Sequence, residues 1–302
     1  MGRLLGYYLP HILISGGIFL HLMFKGKKIK IQYWKYACVI CLPLVPHVLS
    51  MHLLSSADKV MLTRLCGVEL TAVYGVAYSA YHIATILFDS LNKAWAPWLL
   101  ESLHLNKYED IRKTSKLYII VFVILIWGVL MVVPEVILIL GGKQYAAAVP
   151  CLPPLITSCV FQFIYTMYVN VEFYKKKTIG VSIATMIATA VNIGLDLVIL
   201  PHYPENAHVI TAYTTMLGYM LLFVLHYFIV RGMGMAHVFD IRFNILILAA
   251  TIVIAAVMNI LYAHTILRWI IIILYGGSVL LACYRFRDSI LPLFIKKKRK
   301  KA

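Results

Sequence analysis

Residues 151–201 read CLPPLITSCVFQFIYTMYVNVEFYKKKTIGVSIATMIATAVNIGLDLVILP. Two mostly apolar runs stand on either side of Lys175, Lys176 and Lys177. A helix rises about 1.5 Å per residue, so about 20 apolar residues cross a bilayer core of roughly 30 Å. Cys151–Asn170 and Ile179–Leu200 are therefore expected to be spanning helices, with the three lysines in the turn between them. The same reading outward from this pair gives seven more segments: Leu4–Phe24, Tyr36–Leu54, Ala72–Leu91, Leu117–Leu140, Val209–Val230, Phe243–Ala263 and Thr265–Tyr284. The second span holds Pro43, Pro46 and His47, and the third holds His82 and Asp89. Apolar and polar residues do not alternate with period two, so a β-barrel is not expected. The expected fold is all-α, a polytopic transmembrane helix bundle of about nine spans.

Composition agrees. The 302 residues are 62% hydrophobic and 13% charged, against roughly 45–50% and about 25% in a soluble domain. No water-soluble fold hides that much apolar surface. Lys and Arg number 28 against 12 acidic residues, a formal charge of +16. The basic residues sit in short gaps between apolar runs, without a basic stripe interleaved with aromatics, so nucleic acid is not an expected partner. One alternating set of gaps carries 23 of the 28 basic residues: the regions of Lys25–Lys35, Lys93–Lys116, Lys175–Lys177 and Arg231–Arg242, and the tail from Arg285. The other set carries Arg3, Lys59, Arg64, Lys143 and Arg268. The positive-inside rule places the first set in the cytoplasm, the N-terminus outside and the C-terminus inside. An odd number of spans requires the same. Lys296–Lys301 reads as an anchor to an anionic leaflet. Leu4–Phe24 lacks a small-x-small site after it and is expected to stay in place as a span. Trp95 to Lys116, the longest polar gap, is amphipathic and is expected to lie along the cytoplasmic interface.

Signatures of catalysis are missing. The chain has no G-x-x-x-x-G-K-[ST], G-x-S-x-G, H-E-x-x-H or H-x-E…C-x-x-C pattern, so neither an enzyme nor a cofactor is expected. Cys38-x-x-Cys41 has metal-site spacing but no second Cys/His pair nearby, and it reads as small apolar residues in a helix. What remains is polar residues at membrane depth, which are costly and point to function. Asp89 and Lys93 are one helical turn apart, beside Asn92; they either neutralise each other or line a cavity. Asp58, Lys59 and Arg64 fall in the short gap between spans two and three. They are either solvated loop charges or an anion contact at a cavity mouth. Glu135, Asn192 and Asp196 either pack internally or line a cavity. Pro43 and Pro46, and the cluster Pro150, Pro153 and Pro154, break helices as transporter cavities do, although a plain kink is equally allowed.

From Ser56 to Leu100, the stretch SADKVMLTRLCGVELTAVYGVAYSAYHIATILFDSLNKAWAPWLL resembles the polysaccharide (O-antigen type) flippases of the multidrug/oligosaccharidyl-lipid/polysaccharide exporter superfamily. Asp58-Lys59, Tyr74, Ala77-Tyr78, Asn92 and Trp95-x-Pro97 stand where that family has an Asp-basic pair, a tyrosine-bearing helix, an Asn and a Trp-x-Pro. Gly141-x-x-x-Tyr145-x-x-Ala148, Lys175–Lys177, and Asn192 with Leu200-Pro201 follow in family order. The likeness runs from about Arg3 to Arg231. Two departures stand out. Asp196 takes a position that is more often Asn or another neutral polar residue, and His202-Tyr203-Pro204-Glu205-Asn206 replaces a glycine-rich turn.

The resemblance implies a C-terminal portion of a two-lobed flippase. Residues 1–33 would be a first span and cytoplasmic loop, 34–231 a six-helix lobe, and 232–302 two terminal spans and a basic tail. The implied partners are a polyprenyl-pyrophosphate-linked oligosaccharide, membrane lipid, and a separate N-terminal lobe or other polysaccharide-assembly proteins. The implied substrate-binding residues are Asp58, Lys59, Arg64, Tyr74, Tyr78, Asp89, Asn92 and Lys93. The expected place is the cell (plasma or inner) membrane. Other readings stay open: a membrane-embedded polysaccharide polymerase or ligase, a drug exporter half of the same superfamily, a non-transporting scaffold, or an inactive fragment. Carboxylates in mid-membrane would favour the exporter.

Overall fold

The computed structural model describes residues 2–26 and 30–285; the tail Lys296–Lys301 lies outside them. Eleven α-helices form among the described residues: α1 (Gly2–Gly26), α2 (Ile31–Cys41), α3 (Leu44–Leu65), α4 (Val68–His104), α5 (Tyr108–Met131), α6 (Val133–Gly141), α7 (Leu152–Tyr174), α8 (Thr178–Ile199), α9 (Ala207–Gly232), α10 (Ile241–Leu261) and α11 (Thr265–Arg285). Among the described residues, eight helices are long and apolar enough to cross a membrane, or nine if α2 and α3 together make one span. The chain is thus an all-α, multi-pass membrane bundle.

Residues up to Val45 form one compact unit and those from Pro46 a second. In the first, α1 exposes Ile12, Leu13 and Phe24, and α2 exposes Tyr33 and Val39. In the second, α7 is the central helix: its side chains are buried almost without interruption from Leu152 to Glu172. It packs against α4, α5, α9 and α10, and α8 packs on α9. A helix apolar all round belongs inside such a bundle. The peripheral helices keep a buried stripe and turn apolar residues outward, such as Leu246 on α10 and Ile266 on α11. Lipid is the solvent that suits those faces.

The second expected span is broken where its prolines predicted, at the turn Leu42–Pro43. The fourth breaks between α5 and α6, just before Pro134. Proline cannot donate a backbone hydrogen bond and its ring crowds the carbonyl four residues earlier. That carbonyl, Leu130, accepts from the Tyr262 hydroxyl at 2.7 Å, and the Met131 carbonyl accepts from Arg268 Nη1 at 3.0 Å. Arg268 also forks onto Glu135, with two contacts of 2.6 Å. Side chains at the junction of α10 and α11 thus satisfy the groups that the break frees. Glu135 is therefore an internal pairing residue.

Two expectations about gaps need correction. The gap holding Asp58, Lys59 and Arg64 is helical: α3 continues to Leu65, and the turn to α4 shrinks to Cys66–Gly67. Gly67 has φ of +100°, which an L side chain rarely adopts. Likewise Trp95 to Lys116 is not a separate interfacial segment. α4 runs straight through Pro97 to His104, burying Trp95, Leu99 and Leu103, and α5 starts at Tyr108. Periodicity on this stretch marks a buried helix face rather than a membrane-surface one.

Candidate functional site: a tyrosine- and histidine-lined cleft backed by buried carboxylates

Helix α4 carries Tyr74, Tyr78, Tyr81, His82, Thr85 and Asp89 at spacings of three and four residues, which puts them on one face. That face meets α3 across a cleft of about 450 Å³. His47, Met51, His52 and Ser55 line it from α3, with Gln162 of α7 and Tyr219 of α9 completing the wall. The volume lies in the usual range for a small-molecule site. The rings form a ladder: Tyr74 to Tyr78 at 5.9 Å, Tyr78 to Tyr81 at 5.3 Å, and Tyr78 edge-on to His82 at 5.1 Å. The Tyr81 hydroxyl donates to Gln162 Oε1 at 3.2 Å, which holds the ring against the wall. Lys59 Nζ sits 4.3 Å from the Tyr78 ring centroid, a cation–π contact.

Behind the ladder lies a buried polar cluster. Asp58 is fully buried. Its Oδ2 accepts from the Tyr74 hydroxyl at 2.9 Å and from Thr215 Oγ1 at 2.6 Å. The adjacent Thr214 donates to Asp196 Oδ1 at 2.5 Å, so neighbouring threonines of α9 hold the two carboxyls. Asn192, one turn before Asp196, is also fully buried. Asp58 Oδ1, Asp196 Oδ2 and both polar atoms of the Asn192 amide have no hydrogen-bond partner among the described residues. Gly218 lets the three helices meet here: a Cβ on it would stand 3.3 Å from Leu54 and 3.5 Å from the Asn192 Cβ. Three helices thus converge on several oxygens that lack donors, at a depth where such groups are expensive.

The residues singled out from the sequence divide among several places. Tyr78 and Asp89 line the cleft; Asp58 and Tyr74 are hydrogen-bonded behind it; Lys59 lies between, over Tyr78. Asn92 accepts from the Asn170 amide at 3.1 Å, between α4 and α7. Arg64 and Lys93 are exposed and line no part of the cleft. Asp89 and Lys93, although one turn apart, form no ion pair among the described residues; the pairs present there are Lys116–Asp240, His226–Glu172 and Arg268–Glu135. Cys38 and Cys41 are exposed, free thiols, and no group of three or more metal-binding side chains occurs among the described residues.

Sequence reading missed the three cleft histidines, Gln162, Tyr219, and the threonine pair Thr214–Thr215 as site residues. The tyrosines and histidines of α4 were visible as a helical stripe. Nothing in a linear sequence pairs Thr215 with Asp58, 157 positions apart.

At this level the molecule is defined as a class: a multi-pass α-helical membrane protein with a polar cleft among its helices. Compared with protein-family models, curated proteins and solved structures, the chain finds no match in any of the three.

Proposed function

We propose that the protein is a transporter lobe that helps move a lipid-linked oligosaccharide across a membrane for cell-surface polysaccharide assembly, and that it is not an enzyme. The observation that carries this reading is the cleft. Tyrosine rings offer apolar faces to the C–H faces of a sugar, while Ser55, Thr85, Gln162 and the imidazoles offer donors and acceptors to its hydroxyls. The helices around it are apolar outside, which suits a cargo whose polyprenyl tail stays in lipid. Lys59 is the cation nearest the ladder and would meet the pyrophosphate. Asp58, Tyr74 and Asn92 would act by positioning α3, α4 and α7, while Arg64 and Lys93 have no part in the cleft. The basic-residue asymmetry supports an N-terminus outside and a C-terminus in the cytoplasm of a plasma or inner membrane. A separate N-terminal lobe, or other assembly proteins, would supply the opposing wall that alternating access needs.

Native mass spectrometry of the purified chain with a polyprenyl-pyrophosphate-linked oligosaccharide tests the reading. Tyr78→Ala and Tyr81→Ala should each weaken binding about tenfold, the worth of roughly 1.4 kcal/mol. Binding that is equal for the glycan-free lipid carrier, and unchanged in both variants, would refute it.

A second reading is favoured by one observation, the buried carboxyls Asp58 and Asp196, held by adjacent threonines of α9. Buried carboxyls on two helices of the bundle suit an exporter of small amphiphiles driven by a cation gradient. Under that reading Asp196→Asn abolishes coupling, whereas under the first it leaves glycan binding intact.

A further inference from the structure

Helices α3 and α8 are joined in a fixed register. His47 Nδ1 and Thr185 Oγ1 are 2.7 Å apart, and about one turn on the Thr189 hydroxyl donates to the Ser50 carbonyl at 3.1 Å. Carried forward along both helices, that offset of 138 to 139 positions sets Leu54 level with Asn192 and Asp58 level with Asp196. Helix α9 agrees from the third side. A Cβ on Gly218 would touch both Leu54 and Asn192, at 3.3 and 3.5 Å. One turn earlier on α9, Thr215 donates to Asp58 and Thr214 to Asp196. Two carboxyls therefore face one seam between three helices, with the Asn192 side chain a turn away along it.

Asp58, Asp196 and Asn192 are each fully buried. Asp58 Oδ1, Asp196 Oδ2 and both polar atoms of the Asn192 amide have no hydrogen-bond partner among the described residues. No basic side chain pairs with either carboxyl there. Lys59, next to Asp58, turns its ammonium over the Tyr78 ring instead. A carboxylate left alone at depth costs several kcal/mol, and an unsatisfied amide adds to that. Apolar side chains would fill the seam without this cost, so packing alone gives no reason for these three. Each threonine hydroxyl has one proton and two acceptors in reach, its carboxyl and the Thr211 carbonyl, the latter at 2.9 Å from both. A proton turned to Thr211 leaves the hydroxyl lone pairs free for the seam.

We propose that Asp58, Asp196 and Asn192, with the hydroxyls of Thr214 and Thr215, bind a sodium ion. The donors are all oxygen, as hard cations prefer. Two carboxyls, without a third His, Cys, Asp or Glu beside them among the described residues, do not make a transition-metal centre. Calcium takes about six to eight oxygens and magnesium keeps several waters, which a dry seam does not supply. Stripping a divalent ion of water also costs about four times as much as stripping a monovalent ion of equal size, because the Born energy rises with the square of the charge. Charge sets the proton count. Sodium with one carboxylate and one carboxylic acid is neutral, and so are two carboxylic acids without the ion. Each ion that binds therefore releases one proton, and the site takes a proton back when the ion leaves. The ion ties α3 to α8 and α9. Through Asp58 it also fixes the Tyr74 hydroxyl, at 2.9 Å, and with it the foot of the ring ladder. The site would supply an ion to the exporter reading but does not rest on it, since none of its ligands lines the cleft.

The purified full chain in detergent, with no cargo added, tests this by equilibrium binding of radioactive sodium and by proton release into weak buffer. The wild type should bind one sodium ion saturably, with potassium and calcium competing at least tenfold more weakly, and should release one proton per ion at neutral pH. Asn192→Leu should weaken binding at least tenfold. Thr214→Ser, which keeps the hydroxyl, should bind as the wild type does, and so should Arg64→Gln, outside the site. The double variant Asp58→Asn/Asp196→Asn keeps the size of both side chains and should neither bind sodium nor release a proton. Folded wild type without saturable binding, or sodium that displaces no proton, overturns the site whatever the variants do. So does a folded double variant that still binds. Calcium winning the competition overturns the choice of ion. None of these outcomes bears on the reading of the cleft, because no cargo is present.

Discussion

At the scale of single residues, the account turns on groups that lipid makes expensive to leave unpaired. Asp58 is held by two hydroxyls, those of Tyr74 and Thr215, and Thr215 reaches it from another helix. Thr215→Val keeps the shape of the side chain and removes one donor to a buried carboxyl. Hydrogen bonds to charged groups are worth about 1.5–3 kcal/mol, so the variant should unfold more easily by that amount in a detergent unfolding titration. Tyr74→Phe should cost a similar amount. Losses below about 0.5 kcal/mol in both would mean that water satisfies Asp58. A surface residue behaves differently. Asp240 caps α10 by accepting from the Phe243 amide at 3.2 Å and pairs with Lys116 at 2.6 Å. The Lys116 ammonium holds the Asp240 carboxyl below its ordinary value. A depressed carboxyl contributes stability that is present above the unfolded value, near 3.9, and is lost as pH falls through the lower folded value. Asp240→Asn keeps the cap and removes the ion pair. Its deficit against wild type should therefore be constant from pH 5 to 8 and shrink only below about pH 4, and high salt should diminish it.

At the scale of elements, most of the fold was legible, for a physical reason. Lipid demands that each span satisfy its own backbone, so a run of about 20 apolar residues is nearly a statement of a helix. Seven of the nine expected segments each fall on one long helix, and the second and fourth are each broken into two. Their ends were less legible, because polar residues at a helix end can be either loop or buried helix. Asp58 looked like a loop charge because it neighbours Lys59, yet tertiary contacts with Tyr74 and Thr215 keep α3 going for two more turns. Trp95, Leu99 and Leu103 looked interfacial because lysines flank them, yet they extend the buried face of α4. The break before Pro134 was hidden inside one apolar run. Its cost is met by Tyr262 and Arg268, more than 130 positions away. This makes a prediction about α11. Arg268→Lys keeps a charge but loses the fork onto Glu135 and the bond to the Met131 carbonyl. It should destabilise by roughly 1.5–3 kcal/mol and make α11 the first segment to gain hydrogen exchange. Exchange spread evenly over all helices would contradict that local role.

At the scale of the whole molecule, the bundle divides into a central helix, α7, a cleft on the side of α3 and α4, and lipid-facing helices outside. The positions of charge along the chain lead to one topological expectation. Reporter fusions at Gly142 and at Lys176 should report opposite sides of the membrane, with Lys176 in the cytoplasm; signals from the same side would remove the orientation. The central claim is that a wet, cargo-sized cleft lies between α3 and α4 inside a lipid-embedded bundle. Thiol accessibility tests it most directly. In a chain whose six native cysteines are replaced by serine or alanine, single substitutions Ser55→Cys, His82→Cys and Thr85→Cys place a thiol in the cleft. Leu246→Cys and Ile273→Cys place one on the lipid-facing surface. A membrane-impermeant maleimide, applied to the chain in proteoliposomes, should label the three cleft positions and leave the two outer ones unmodified. A polyprenyl-pyrophosphate-linked oligosaccharide should slow the cleft labelling at least tenfold, and the lipid carrier without sugars should not. Cleft positions as inert as Leu246→Cys and Ile273→Cys, or labelling that the oligosaccharide leaves unchanged, would contradict the account.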